Sequence, residues 1–525
     1  MFGMVGSGAA LMVAAALAAV AATWLWAALA HLVWRPYAVA RAFARQGVRG
    51  PAYRLYFGNT RESKAMLRAA TSGHTLDRSS HDIIPRVMPQ HRAWTSLYGK
   101  VYLWWFGSTP ALCVGSYDMV KRILSDKVEL YPKPSPPPAL LALMGMGLVF
   151  TQGDDWVRHR RIVSPAFAMD KLKMMTGAMA ACAGEVIREW ESRAAANGGE
   201  VMVEVGKQFA ELTADVISHT AFGSSYRQGK EVFLAQRELQ LIAFASFATT
   251  RLPGAQYAPT KSNLRRWRLE RKVRDTLVAI IDERMRMAAA KEEAYGHDLL
   301  GLMLEANACG EDGKSAMSMD EIIDECETFF FAGHDTTSHL LTWAMFLLGT
   351  HPEWQHRLRA EVLRECGTGG AITGDALNKL KLVMMVIYET LRLYGAVTRI
   401  LRTTTADVDL CGVKVPKGTL LLIPIAMLHR DDEIWGADAG EFNPLRFRND
   451  VGRAAAHPSA LLAFAAGPRS CIGQDFAMME AQATLALILR RFAFEVAPEY
   501  VHAPTDIVTL QPLQGLPIVL KVLDP

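Results

Sequence analysis

Three groups of side chains in this sequence have the types and spacing to do chemistry. The first is Phe464-Ala-Ala-Gly467-Pro-Arg469-Ser-Cys471-Ile-Gly473, a lone cysteine set among glycine, proline and arginine. A cysteine in such a turn is either a buried structural thiol or a thiolate ligand to a metal. Gly467 and Gly473 would let backbone N–H groups turn toward the sulfur, because glycine tolerates the dihedrals this requires. Arg469 could hold a carboxylate, while Phe464 could keep water off the sulfur. These surroundings suit a thiolate beneath a haem iron, which pushes electron density toward dioxygen and favours O–O cleavage.

The second group is Ala332-Gly333-His334-Asp335-Thr336-Thr337, a polar run within a segment that reads as a buried helix. A mid-helix glycine costs roughly 1 kcal/mol relative to alanine. A groove opened over a haem face would account for it, with Thr336 offering a hydrogen bond and Asp335 relaying protons. Taken alone, the run reads equally well as a kinked helix whose threonine hydroxyls bond back to the preceding turn. His334 either perturbs proton delivery or faces away.

The third group would position the others. Glu389-Thr-Leu-Arg392 places an acid and a base on one helix face. Trp156 and Arg160, in Gly153-Asp-Asp-Trp156-Val-Arg-His-Arg160-Arg161, also share a face. Arg158, His159 and Arg161 read as a solvated basic face, the alternative being a docking patch for an acidic electron donor.

Taken together, these segments resemble the cytochrome P450 family from about residue 35 to the C-terminus. The resemblance implies haem b with Cys471 as axial thiolate, and Trp156, Arg160, Arg402 and Arg469 near its propionates. It implies a structural network of Glu389 and Arg392 with Arg446, from Pro444-Leu-Arg446-Phe447. It places Phe331, Ala332, Val397 and Thr398 at a substrate pocket, with residues 143–150 and 241–247 as further lining. Gly6-Ser-Gly8 and Gly367-Thr-Gly369-Gly370 do not stand in the context of a dinucleotide loop. Electrons are therefore expected from NADPH through a separate NADPH-cytochrome P450 reductase. Retention of both Asp335 and Thr336 counts against two alternatives, a haem-thiolate isomerase or dehydratase and a non-catalytic haem sensor.

Arg35-Pro36, Arg49-Gly50-Pro51, Leu212-Thr-Ala-Asp-Val-Ile217 and Ala221-Phe222-Gly223 resemble the plant clan 72 group, nearest its fatty-acid-hydroxylating branch. The implied activity is hydroxylation of a lipophilic small molecule such as a fatty acid. The alternative is a plant hormone: brassinosteroid, gibberellin or cytokinin. Gly395-Ala396 stands where the family often has Pro-Pro, which predicts a looser loop over the haem.

The elements that must hold these groups follow from composition and periodicity. Half of the 525 residues are hydrophobic, which allows a large core, and the net charge is only +4. No long basic run with interleaved aromatics is present, so nucleic acid is excluded as a partner. Seven cysteines without CxxC spacing point to a reducing compartment. No charge precedes Arg35, and residues 11–34 are apolar enough to span a bilayer. Arg35, Arg41, Arg45, Arg49 and Arg54 follow before the first acid, Glu62, which keeps the bulk of the chain cytosolic. A cleavable signal peptide competes with an anchor here. The expected organisation is a membrane anchor over 1–34, a basic Pro/Gly linker over 35–58 and a catalytic domain over 59–525. The expected location is the endoplasmic reticulum membrane. The catalytic part reads as mainly α with small β-sheets. Its clearest helix starts at the capping box Ser318-Met-Asp-Glu321, and others are predicted over 170–194, 204–222, 263–290 and 375–394. Strands are predicted over 101–106, 404–410, 419–425 and 518–523.

Overall fold

In a computed structural model, the structure describes residues 3–523 apart from 74, 224–225, 248–253, 292–294, 297, 309–316 and 371. Cys309 lies outside the described residues. The chain is mainly helical with small sheets, as its periodicity implies.

Helix α1 (Gly3–Leu29) passes through a π-helical turn, Ala30–Trp34, into α2 (Arg35–Ala44). The most apolar 18-residue window within Met12–Ala44 has a mean hydropathy of 2.0 and none of it is buried against protein, which fits contact with lipid. Residues 35–58 are docked rather than free. Phe43 and Val48 join a core cluster with Leu103, Leu112 and Ile423. The Gln46 side chain exchanges two hydrogen bonds with the Lys414 backbone.

Strands β1 (Val101–Phe106) and β2 (Thr109–Val114) pair antiparallel with Trp104 opposite Ala111. A small sheet builds on them in the order β1-β2-β7-β4. Here β4 is Ile400–Thr403 and β7 is Leu420–Ile423, the latter parallel to β2 with Leu421 opposite Leu112. The strand predicted over 404–410 is divided. Only its end forms β5 (Val408–Leu410), which pairs with β6 (Val413–Val415). Cys411 and Gly412 both have positive φ, the backbone that a two-residue hairpin needs. A second sheet joins β3 (Glu200–Glu204), β8 (Phe492–Val496) and β11 (Pro517–Val522), while β9 (Pro504–Ile507) and β10 (Thr509–Pro512) form a hairpin.

The larger part of the fold is built on the helices α3 (Pro138–Met144), α4 (Gly153–Val163), α5 (Met169–Ala195), α6 (Val205–Phe222), α7 (Tyr226–Phe247), α8 (Lys261–Lys291), α9 (Met319–Thr350), α10 (Lys381–Tyr394) and α11 (Gln474–Arg491), among others. Helix α9 is the axis of the fold and is buried along most of its length. Its N-terminus is fixed by the predicted box, because Ser318 accepts from Glu321 N–H and Glu321 accepts from Ser318 N–H. The helix predicted over 375–394 is broken into Gly374–Leu377 and α10. The buried Glu361 carboxylate accepts the Leu382 and Val383 N–H groups, satisfying amides that a new helix start leaves open.

Candidate active site

The Cys471 loop closes on itself before α11 begins. Cys471 N–H donates to Phe464 O at 2.9 Å and Ser470 N–H to Gly467 O at 3.0 Å. Gly467 has φ +73°, and a Cβ there would lie 2.0 Å from Leu124 O, so no other residue fits. Gly473 differs from the expectation. It has ordinary φ and room for a Cβ, and what it supplies is an N–H aimed at the Cys471 sulfur. Cys471 is accessible on one side, as a ligand must be. The protein around the sulfur pushes the thiol pKa up, while Gly473 N–H, Arg160 and Lys133 pull it back.

The cations around this loop test whether haem fits. The Arg469 guanidinium lies 4.5 Å from the Trp156 ring centre and donates to Thr151 O at 2.6 Å. Its Nη1 is buried without an acceptor among the described residues, a costly arrangement unless an anion is bound. Arg402 is buried and donates only to the adjacent Leu401 O among the hydrogen bonds described. Burial and the charge of Arg469 bring it down to about 10. Lys133, which the sequence reading did not single out, donates to Val149 O at 2.7 Å. Burial, then Arg402 and Arg469, bring it down to about 7. Two propionates would answer this excess of buried cations, so the donor set fits haem. Arg160, expected at the macrocycle edge, donates to Ser470 O at 3.0 Å and so braces the cysteine loop. Trp156 serves as the platform for Arg469.

On α9, Thr336 Oγ1 donates to Ala332 O at 2.8 Å, the back-bonded geometry. The helix is continuous, and Gly333 is explained by packing: a Cβ would come 2.8 Å from Ile217 Cδ1 on α6. His334 faces away into rings of Phe233, Phe330 and Phe331, with Nδ1 2.6 Å from Phe330 O, and burial lowers its pKa. Asp335 is buried and accepts from Thr509 Oγ1 at 2.6 Å and from Gln240 Nε2 at 3.3 Å. Phe331 is buried with its ring against His334, and Ala332 is half-buried. Val397 is 38% exposed, while Thr398 is buried and donates to Asp506 Oδ2 at 2.6 Å. Arg399 pairs with the same carboxylate. Leu510 N–H donates to Ala396 O at 2.9 Å, so the Gly395-Ala396 loop is tied to β10.

Arg158 and His159 depart from the expected solvated face. Arg158 pairs with Glu321 at 2.6 Å, and the buried His159 Nδ1 lies 2.5 Å from Glu325 Oε1, so together they clamp α4 to the start of α9.

The Glu389 and Arg392 pair is fully buried and bidentate, at 2.7 Å in each contact. Arg392 also donates to the carbonyls of His429, Ala439 and Glu441. Arg446 joins less directly than expected. Its Nε stands 3.7 Å from Glu389 Oε1, whereas Asp438 takes both its Nη atoms, at 3.0 and 2.8 Å. His429 completes the path to the cysteine loop. Its Nδ1 lies 3.0 Å from Arg392 O and its Nε2 accepts Leu462 N–H at 2.9 Å. These partners require the neutral tautomer with Nδ1–H, and burial beside Arg392 and Arg430 brings its pKa down to about 3.

This constellation is that of a haem-thiolate monooxygenase. The chain belongs to the cytochrome P450 family, whose model matches residues 73–517. Among curated proteins it is 45% identical to Cytochrome P450 709B1 of Arabidopsis thaliana, over 94% of this chain and 95% of that protein. It is 41% identical to Cytochrome P450 734A6 of Oryza sativa subsp. japonica (93% and 92%) and 40% to Cytochrome P450 CYP72A616 of Paris polyphylla (96% and 98%). These relatives agree with the clan 72 resemblance. The cofactor is haem with a thiolate-bound iron, and electrons come from a reductase.

Proposed function

We propose that the chain is an NADPH-dependent hydroxylase of a lipophilic small molecule of the fatty-acid class, anchored in the endoplasmic reticulum membrane by α1 with its catalytic part cytosolic. The observation that carries the catalytic assignment is the Cys471 loop, closed by Phe464 O and Gly467 and bordered by the unanswered Arg469 Nη1. Haem held there supplies dioxygen activation. The residues of the chain do the rest. Cys471 is the ligand, and Gly473 N–H and Arg160 stabilise negative charge on its sulfur. Arg402, Arg469 and Lys133 hold the propionates. Thr336 keeps a hydroxyl poised on α9, and Asp335 moves protons toward it. Phe331, Ala332, Val397 and Thr398 border the substrate.

A second reading is a hormone-type substrate, and the pairing of Arg399 with Asp506 favours it. This arginine follows Val397 and Thr398 directly, and neutralised it offers no anchor for a substrate carboxylate. That points toward brassinosteroids or cytokinins rather than gibberellins. The test is a binding-spectrum screen of the purified holoprotein with lauric acid, a brassinosteroid, a gibberellin and an adenine-type cytokinin. A low-to-high-spin shift with lauric acid alone supports the first reading, and a shift with a neutral hormone alone replaces it with the second. Cys471→Ala tests the ligand assignment. It should abolish the thiolate signature in the reduced carbon monoxide complex, and an unchanged Soret band would overturn it.

A further inference from the structure

The Gln240 side chain on α7 stands where three separate elements meet. Its Nε2 lies 3.3 Å from each Asp335 oxygen on α9, 3.1 Å from Ile507 O at the end of β9 and 3.4 Å from Thr509 Oγ1 on β10. Every one of these neighbours can accept, which fixes the orientation of the amide with nitrogen toward them. Thr509 Oγ1 donates its hydrogen to Asp335 Oδ2 at 2.6 Å, leaving its lone pairs for Gln240. His339 Nδ1, one turn along α9, is 3.7 Å from the same oxygen and has no hydrogen bond among the described residues. Gln240, Asp335 and Thr509 are all buried.

The hairpin tip between Ile507 and Thr509 carries strain. Val508 has φ +70°, a region that a β-branched residue enters only when its surroundings impose it. The bonds on either side of it are those to Gln240 and Asp335, so the same tie that holds the carboxylate also holds the tip. Among the described residues, no other hydrogen bond runs from α7 to Asp335. Displacement of α7 therefore removes the Gln240 amide from Asp335 and leaves Thr509 as its donor.

We propose that Gln240 is a positioning residue that couples the placement of α7 and of the β9–β10 tip to the state of the Asp335 carboxylate. With α7 seated, Asp335 is held by neutral donors and is restrained from carrying protons; with α7 displaced, it is released. No covalent step is involved. The part of this that concerns proton delivery rests on the role of Asp335 proposed above, whereas the mechanical tie does not. Because coupling is reciprocal, a change at Asp335 must loosen α7 just as a change at Gln240 loosens the β9–β10 tip.

The test uses the full-length holoprotein in phospholipid vesicles and compares wild type, Gln240→Leu, Asp335→Asn and the double variant. Hydrogen exchange should quicken about tenfold in peptides covering 230–246 and 504–512 in each single variant, the scale of one hydrogen bond to a charged group. Peptides from α10 should not change. The double variant should exchange more slowly than the product of the two single effects predicts, since both weaken the shared Gln240–Asp335 contact while Gln240→Leu alone also loses the bond to Ile507 O. Unchanged exchange over 230–246 in Asp335→Asn, or effects that multiply in the double variant, overturns the tie. NADPH oxidation with the reductase, measured in H2O and D2O, gives the second readout. A solvent isotope effect altered in Gln240→Leu supports control of proton delivery. An isotope effect the same as wild type in Gln240→Leu but altered in Asp335→Asn overturns that control. One unaltered in both variants overturns the Asp335 role itself, while the exchange data still judge the tie.

Discussion

Replacing Glu389 with Ala should be among the most damaging single changes outside the cysteine loop. Glu389 and Arg392 have no exposed side-chain surface, so removal of the carboxylate leaves a buried guanidinium with three carbonyl partners and no counter-charge. Breaking a buried pair in this way costs about 3–5 kcal/mol. Asn443 N–H, which donates to Glu389 at 2.9 Å, loses its acceptor as well, worth about 1–3 kcal/mol when buried, although the two losses overlap. Against a total stability of about 5–15 kcal/mol, this is a large fraction. Damage should spread through His429 to Leu462 and so to the cysteine loop. The control is Asp438→Ala. It removes the chief partner of Arg446, but Asp438 is 37% exposed and water can replace it, which predicts about 1 kcal/mol. Urea unfolding midpoints and the yield of the thiolate carbon monoxide complex should rank wild type, Asp438→Ala and then Glu389→Ala far below. If Asp438→Ala costs as much as Glu389→Ala, or if Glu389→Ala leaves both measurements at wild-type values, the reasoning about the buried pair fails.

Gly333→Ala should cost about 1–3 kcal/mol through overpacking, and Ile217→Val, which deletes the methyl the new Cβ would meet, should restore part of the loss; a double variant no more stable than Gly333→Ala would show that the glycine serves something else. Thr336→Ala should uncouple NADPH consumption from product while leaving the fold intact, since its hydroxyl bonds only within its own helix turn among the described residues; full coupling in the variant would remove Thr336 from the oxygen chemistry. The acid limb of stability should show Glu321. The hydrogen bond from Arg158, joined by Ser318 N–H, holds its carboxyl down to about 2 against burial, from an ordinary 4.5. A depressed pKa gives stability that is present above about 4.5 and lost as pH falls toward 2. Unfolding midpoints measured across that window should fall less steeply in Glu321→Gln than in wild type, and parallel slopes would contradict the assignment.

The features that the sequence settled are those whose partners lie within a few residues. The capping box at Ser318 and the pairing of Glu389 with Arg392 are one-turn relations, and both are present at the spacing that defines them. The cysteine loop is likewise local, closed by a bond from Cys471 back to Phe464. What lies across the fold was hidden. Nothing near Gly333 in the chain announces Ile217, nothing near Arg446 distinguishes Asp438 from Glu389 as its partner, and Lys133 reaches the cations around Cys471 only because the tertiary fold brings it there. The break before α10 is set by Glu361, a carboxylate from a different helix that takes the first amides. Gln240 shows the same limit, since its amide meets Asp335 and Ile507 only after α7, α9 and the β9–β10 hairpin have packed. Local spacing thus determined the chemistry of the chain, because ligand, cap and ion pair each close within a helical turn or a single loop. Packing alone decided how that chemistry is braced, charged and released, because a buried polar group takes whichever partner the fold delivers.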